Sequence, residues 1–313
     1  MIVGIAELCY DKKAKVAGLS GFTGLVWEIY FYEKESGQML KKIDQSALFL
    51  AEQEGLFRCP KCHQKMTAEA KSLVCTNGHH FDLAKKGTLY FLDHQIKTEY
   101  DNEMFAPRGR MIRSGMYQPV IEKITQLVQP GNLLDVGCGE GSFLQQINQI
   151  KENPVNIGFD IAKEGIYLAS NQPLKAFWCV ADLTNLPFTD QSFDTILNIF
   201  SPSQYREFKR VMKPTGCVIK VVPQSGYLQE LRAVYHPDGE AYSNEAVIQR
   251  FTEELKIDKR ERVTYEFEIP EENRLDLLEM SPLEWQVSPE VKAKLMENPL
   301  KKITIDIEIL KGY

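Results

Sequence analysis

The chain has 313 residues, enough for two domains at about 150 residues each. Apolar residues make up 43% and charged residues 26%, near the averages of soluble globular proteins, which excludes a collagen, a largely disordered chain and a disulfide-dense miniprotein. The formal net charge of −6 is unevenly spread: residues 1–55 carry 6 Lys/Arg against 8 Asp/Glu, residues 56–130 carry 11 against 7, and residues 131–313 carry 20 against 28. A basic front portion on an acidic body is an asymmetry that suggests a nucleic-acid partner for the front.

No run of ~18 apolar residues occurs, so no membrane span and no membrane partner are expected. Glu7 lies in the first ten residues, and Lys12, Lys13 and Lys15 follow the apolar stretch. A secretory signal puts its positive charge first. The seven cysteines are an odd set, with Cys59, Cys62 and Cys75 in one short segment. Metal binding in a reducing cytoplasm is therefore expected, not a disulfide framework.

Residues 1–55 read as an extension with no assigned role. Phe22 to Tyr32 could supply a strand or two, and a polar helix-compatible run begins at Met39. Residues 56–92 hold too few apolar side chains for a core, so a staple is needed. Residues 93–116, with Arg108, Arg110 and Arg113, read as a linker that becomes helical. Val120, Ile121, Ile124, Leu127 and Val128 recur at helical spacing until Pro130-Gly131. Strands then alternate with helices: strand 132–136, helix 142–150, strand 155–159, helix 163–170, strand 175–180, strand 193–199, helix 203–212, strand 217–222 and helix 227–234. That alternation predicts a parallel sheet with helices on both faces. Residues 256–270 and 301–311 alternate apolar with polar and could form an antiparallel pair at one edge.

Cys59-x2-Cys62 is followed after twelve residues by Cys75-x3-His79. Two residues between thiolates let both sulfurs reach one ion from a tight turn, and the second pair completes a tetrahedron. Three thiolates and an imidazole suit zinc, and four protein ligands make the site structural. His79 is preferred to His80 because it lies nearer the cysteine turn. His63 would need strained geometry, and His94 and His236 read as surface residues. Arg58, Lys61, Lys65, Lys71, Lys85 and Lys86 decorate this module against Glu69 and Asp82, and such residues can neutralise phosphates.

The strand 132–136 runs into Gly137-Cys-Gly139-Glu140-Gly141, with Asp135 just before the loop. Glycines allow a close backbone approach to a ligand, and the next helix offers free N–H groups. The G-x-G-x-x-G spacing of dinucleotide binders is absent. Asp135 suits an ammonium group, which S-adenosylmethionine carries where a dinucleotide carries pyrophosphate. Asp160 ends the second strand and could accept the ribose hydroxyls. Asp182, followed by Leu183, ends the third and could accept from the adenine amine. The fourth strand ends in Asn198-Ile-Phe200-Ser-Pro202, where Phe200 could stack on a planar nitrogen substrate and Asn198 could hydrogen-bond to it. The fold class expected is α/β, a doubly wound class I (Rossmann-like) methyltransferase sheet with a small N-terminal zinc-binding domain.

Cys59-Pro-Lys-Cys62, Cys75-x3-His79-x-Phe-Asp-Leu-Ala-Lys, Gly115-Met-Tyr-Gln-Pro, Leu134-Asp-Val-Gly-Cys-Gly-Glu-Gly and Phe200-Ser-Pro occur in this order. In that order the chain resembles the bacterial 23S rRNA guanine-N1 methyltransferases of the RlmA family, over roughly Leu56 to Tyr313. Asn198-Ile-Phe-Ser-Pro and Tyr242-Ser-Asn look more like the branch with the tylosin-resistance methyltransferase. The resemblance implies zinc on Cys59, Cys62, Cys75 and His79. It implies S-adenosylmethionine contacts at Tyr117, Gly139 and Glu140, and at Tyr227, where the family has a histidine. It also implies a 23S rRNA partner and a homodimer. The domains expected are the extension 1–55, a zinc-binding RNA-recognition module 56–92, a linker 93–116 and a methyltransferase domain 117–313. The alternatives are a small-molecule methyltransferase with a zinc knuckle and a non-catalytic RNA-binding zinc protein.

Overall fold

A computed structural model describes residues 40–94, 96, 100, 102–235, 242–280, 283 and 287–313. The expected strands near Phe22 to Tyr32, the start at Met39 and His236 lie outside the described residues. The chain divides into two compact units, Met1–Gly87 and Thr88–Tyr313.

In the first unit, helix α1 (Lys42–Glu52) precedes a three-stranded antiparallel sheet of β1 (Met66–Glu69), β2 (Ser72–Cys75) and β3 (His80–Asp82). The ribbon's own apolar residues, Phe57, Met66, Leu73 and Phe81, are buried. They are too few to close a core, and α1 supplies the rest: it packs on β1 and buries Ala47, Leu48 and Leu50. Asp44 pairs with Lys71 at 2.7 Å, and a Cβ on Gly87 would meet the Lys42 carbonyl at 2.6 Å. Part of the extension thus acquires a role that its polar composition concealed.

The second unit is built on one sheet. Strand β4 (Leu89–Tyr90) is followed by helices α2 (Asn102–Arg113) and α3 (Gln118–Leu127). Then come β5 (Asn132–Val136), α4 (Ser142–Ile150), β6 (Val155–Asp160), α5 (Lys163–Ala169), β7 (Phe177–Val180), β8 (Phe193–Ile199), α6 (Tyr205–Val211) and β9 (Met212–Pro223). Helices α7 (Gln229–Tyr235) and α8 (Glu245–Glu254), strand β10 (Ile257–Glu268), helices α9 (Asp276–Glu279) and α10 (Pro289–Glu297) and strand β11 (Lys302–Gly312) complete it. The strand order is β10-β11-β9-β8-β5-β6-β7-β4, parallel from β9 to β4. β11 inserts antiparallel between β9 and β10, so the alternating segments do pair at one edge.

β5 and β8 lie adjacent although β8 comes three strands later in the chain, so the chain reverses direction across the sheet beside β5. In open parallel sheets the crevice at the carboxyl ends of strands around such a reversal is where ligands bind. The central strands read as continuous apolar runs because helices cover both faces, and Leu133, Leu134, Ile157, Ile196 and Ile219 are fully buried.

Three details differ from the expected elements. β4 joins the sheet parallel to β7, with the Phe91 N–H donating to the Val180 carbonyl at 2.9 Å. β9 starts at Met212, not 217, because its register with β8 jumps from Phe193↔Met212 to Thr195↔Cys217, leaving a bulge around Pro214. Helix α2, in the segment read as a linker, is integral to this unit: Met104, Phe105, Met111 and Ile112 are buried. Its arginines masked an amphipathic face.

Candidate functional site

Two knuckles bring four ligands together in the first unit. The His63 N–H donates to the Cys59 carbonyl at 2.8 Å, and the Gly78 N–H to the Cys75 carbonyl at 2.8 Å, so each cysteine sits on a tight turn. The Nδ1 of His79 lies 3.4 Å from the Cys59 Sγ and 3.3 Å from the Cys75 Sγ, and the sulfurs of Cys62 and Cys75 are 3.6 Å apart. All four ligand atoms lie within 4.8 Å of one another. Three sulfurs and a nitrogen at these separations suit a tetrahedral zinc with no open position. His80 instead lies in β3, exposed beside Asp82, and among the described residues no further such cluster forms.

In the second unit the carboxyl ends of β5, β6, β7 and β8 surround a cavity of about 260 Å3. Asp135, Gly137, Gly139, Glu140, Asp160, Asp182, Leu183 and Phe200 all line it. Gly137 and Gly139 have φ of 65° and 53°. A Cβ on Gly137 would meet the Ser201 Cβ at 2.7 Å, and one on Gly139 the Phe105 ring at 3.0 Å, so a side chain would be both strained and crowded. Gly141 is the left-handed residue that starts α4. Asp160 stabilises this loop by accepting from the N–H groups of Gly139 and Ala162, each at 2.9 Å. A carboxylate offers about four acceptor sites, so Asp160 keeps capacity for a further donor. Asp182 accepts from the Thr184 N–H at 2.8 Å and closes the far end.

Asp135 is 2% exposed, and its Oδ2 has no hydrogen-bond partner among the described residues. Burial, then the charges of Glu140 and Asp160, push its carboxyl up to about 8, against a smaller opposing pull from Arg108. Burial likewise raises Glu140 and Asp160, offset for Glu140 by Arg108 and for Asp160 by the N–H groups it accepts. An unmet buried acceptor is costly. The alpha-ammonium of S-adenosylmethionine, beside a glycine loop with no room for a side chain, is a group that these residues fit.

Sequence reasoning missed the cavity's cation, Arg108, together with Phe105 and Met104 of α2. Its neighbours are occupied: Arg110 makes a two-pronged pair with Asp276 at 2.6–3.0 Å, and Arg113 donates to Ser142 at 3.1 Å. Only the spacing of three arginines in 93–116 hinted at it.

Three expected site residues lie outside the lining of this cavity. Asn198 is fully buried: its Nδ2 donates to Ser201 at 2.6 Å and the Pro202 carbonyl at 2.8 Å, and its Oδ1 accepts from Ser203 and Lys220. Its amide fastens the turn after β8. Tyr117 and Tyr227 do not line the first cavity. They share a 2.5 Å hydrogen bond in a second cavity of about 190 Å3 beside it. Burial pushes the Tyr117 hydroxyl up to about 12 and also raises that of Tyr227, so both are neutral. Phe200, with φ of 53°, and Arg108 belong to both cavities.

Two family models match the chain. The family model described as "RlmA, N-terminal" matches residues 57–98, and one described as a methyltransferase domain matches residues 129–273. The chain is 38% identical over 272 residues to YxjB of Bacillus subtilis (strain 168), which is provisionally named a 23S rRNA (guanine-N(1)-)-methyltransferase. The match covers 82% of this chain and 96% of that protein. The chain is 30% identical over 183 residues to the 23S rRNA (guanine(748)-N(1))-methyltransferase of Streptomyces fradiae, covering 56% of this chain and 65% of that protein. A methyltransferase fold of this kind takes S-adenosylmethionine, and the Cys3His ribbon takes structural zinc. The chain belongs to the family of 23S rRNA (guanine-N(1)-)-methyltransferases that carry the N-terminal zinc ribbon of RlmA.

Proposed function

We propose that the protein methylates N1 of one guanine in a hairpin loop of 23S rRNA. The observation that carries this reading is the presence of both modules in one chain, at 38% identity to YxjB across 96% of that protein. N1 lies on the Watson–Crick edge, so the enzyme takes an unpaired or flipped base.

S-adenosylmethionine supplies a methyl group on a positively charged sulfur. Asp135 and Glu140 hold its ammonium, Arg108 its carboxylate, Asp160 its ribose hydroxyls and Asp182, with Leu183, its adenine. Gly137, Gly139 and Gly141 let the backbone approach it. As the N1–methyl bond forms, the sulfur–methyl bond breaks to leave S-adenosylhomocysteine, and the N1 proton passes to solvent; because the methyl is already activated, catalysis is chiefly in-line placement of N1, an effect worth up to ~7–11 kcal/mol. Phe200 forms the wall where base and donor meet. Zinc holds the ribbon folded, and its lysines and arginines contact RNA phosphates. The enzyme works in the cytoplasm as a homodimer, a reading that rests on family resemblance; a monomer in sedimentation would remove the second part.

The test incubates the protein with labelled S-adenosylmethionine and unmodified 23S rRNA, then locates the label by mass spectrometry. N1-methylguanine in a loop is expected. Label on small molecules alone would favour the small-molecule methyltransferase.

A further inference from the structure

The second cavity is separate from the pocket assigned to the cofactor, yet the two share Phe200, Arg108 and Tyr100 as walls. Phe200 directly follows β8 with its backbone in the left-handed region, a strained conformation that a phenylalanine adopts only where surroundings impose it. Its ring lies 5.6 Å from that of Tyr117 and 5.7 Å from that of Tyr227, the latter tilted by only 30°. These three rings line one side of the cavity as a cluster, with the Arg108 guanidinium 6.0 Å from the Phe200 ring centre. Arg232 also lines the cavity, and its guanidinium stacks 4.6 Å from the Tyr242 ring and donates to the Ser225 carbonyl. Its buried Nε has no hydrogen-bond partner among the described residues. An arginine held flat by an aromatic ring, with an unmet donor, is arranged to recognise a planar acceptor pair.

We propose that this second cavity receives the target guanine, with Phe200 as the ring it stacks on and Arg232 as the donor that reads its O6 and N7. The assignment rests on the rRNA guanine-N1 reading above and deepens it. Arginine pairs with O6 and N7 of guanine, whereas adenine offers a donor in place of O6. Contact from that edge leaves N1 uncovered. Because Phe200 belongs to both cavities, a base stacked on it lies at the boundary with the cofactor pocket. Arg232 is therefore the specificity-determining residue, and the cavity's competing occupant is the amino-acid arm of the cofactor.

The experiment saturates the protein with S-adenosylhomocysteine and titrates it by calorimetry with guanosine monophosphate and adenosine monophosphate. Guanosine monophosphate should bind more tightly, and Arg232→Gln should lower its affinity about 5- to 150-fold, the range of a lost bidentate contact. S-adenosylhomocysteine affinity should stay within about twofold, which also reports that the variant is folded. With 23S rRNA the variant should lose kcat/KM by a similar factor. Equal affinity for the two nucleotides would overturn the assignment, as would a variant that instead loses S-adenosylhomocysteine binding. A guanine preference that Arg232→Gln abolishes, in a protein that leaves rRNA unmethylated, would uphold the pocket and sink the rRNA reading alone.

Discussion

Asp135 is a single buried carboxylate set against stability, a cost that the proposed contact with the cofactor's ammonium would offset. Its folded pKa of about 8 lies above the unfolded value of ~3.9. The unfolded chain therefore binds fewer protons between these values, and this residue's contribution to stability falls as pH rises from ~4 to 8. Asp135→Asn should remove that penalty and gain about 1 kcal/mol, or ~2–4 °C in melting temperature at neutral pH. The same change should weaken the cofactor. In the wild type, S-adenosylhomocysteine affinity should rise from about pH 6 to about pH 8 as the carboxylate ionises, whereas in Asp135→Asn it should be lower and flatter. Calorimetry across that range checks both, and a variant that binds as tightly as the wild type would remove Asp135 from the site.

The turn after β8 is the element on which both cavities depend. It is fastened from below by Lys220 of β9, 3% exposed, whose ammonium donates to the Asn198 Oδ1 at 2.6 Å, Ser203 at 2.8 Å and the Ser201 carbonyl at 3.2 Å. Ser201 in turn donates to the Val136 carbonyl of β5 at 2.6 Å, joining the two strand ends that flank the glycine loop. Burial lowers the Lys220 pKa to about 8. Lys220→Ala would take one of two donors from the buried Asn198 Oδ1 and one from the half-buried Ser203 hydroxyl, at a cost of ~1–3 kcal/mol. A drop of several degrees in melting temperature is expected, together with a loss of methyl transfer because Phe200 is no longer held. Unchanged melting and activity would show that the turn holds itself.

At the scale of the whole molecule, the two compact units divide the work. The ribbon's core is small and its sheet strands are short, so its folding follows the metal. Removing zinc with a chelator, or replacing Cys59 by serine, should unfold the first unit and abolish rRNA methylation. Cofactor affinity in Thr88–Tyr313 should persist, because every side chain lining the first cavity comes from that unit. Circular dichroism, calorimetry and labelled-methyl transfer on the full chain read the three effects separately. Full methylation after metal loss would argue against a substrate-reading ribbon. Among the described residues no helix is long and apolar enough to cross a membrane.

The sequence by itself determined the zinc ligands, the glycine loop and the three acidic strand ends. Each is written in local spacing: two residues between thiolates close one turn, and an acid at a strand's carboxyl end keeps that place wherever the strand goes. Strand and helix alternation likewise sufficed for the parallel sheet. Only the tertiary structure decided which way side chains far apart in the chain would face. It engaged the Asn198 amide with Lys220, twenty-two residues later. It turned Arg108 into the cofactor cavity by anchoring Arg110 and Arg113 elsewhere, and set Tyr117 against Tyr227 in a second cavity. These outcomes depend on packing between elements whose separation along the chain carries no periodic or motif signal.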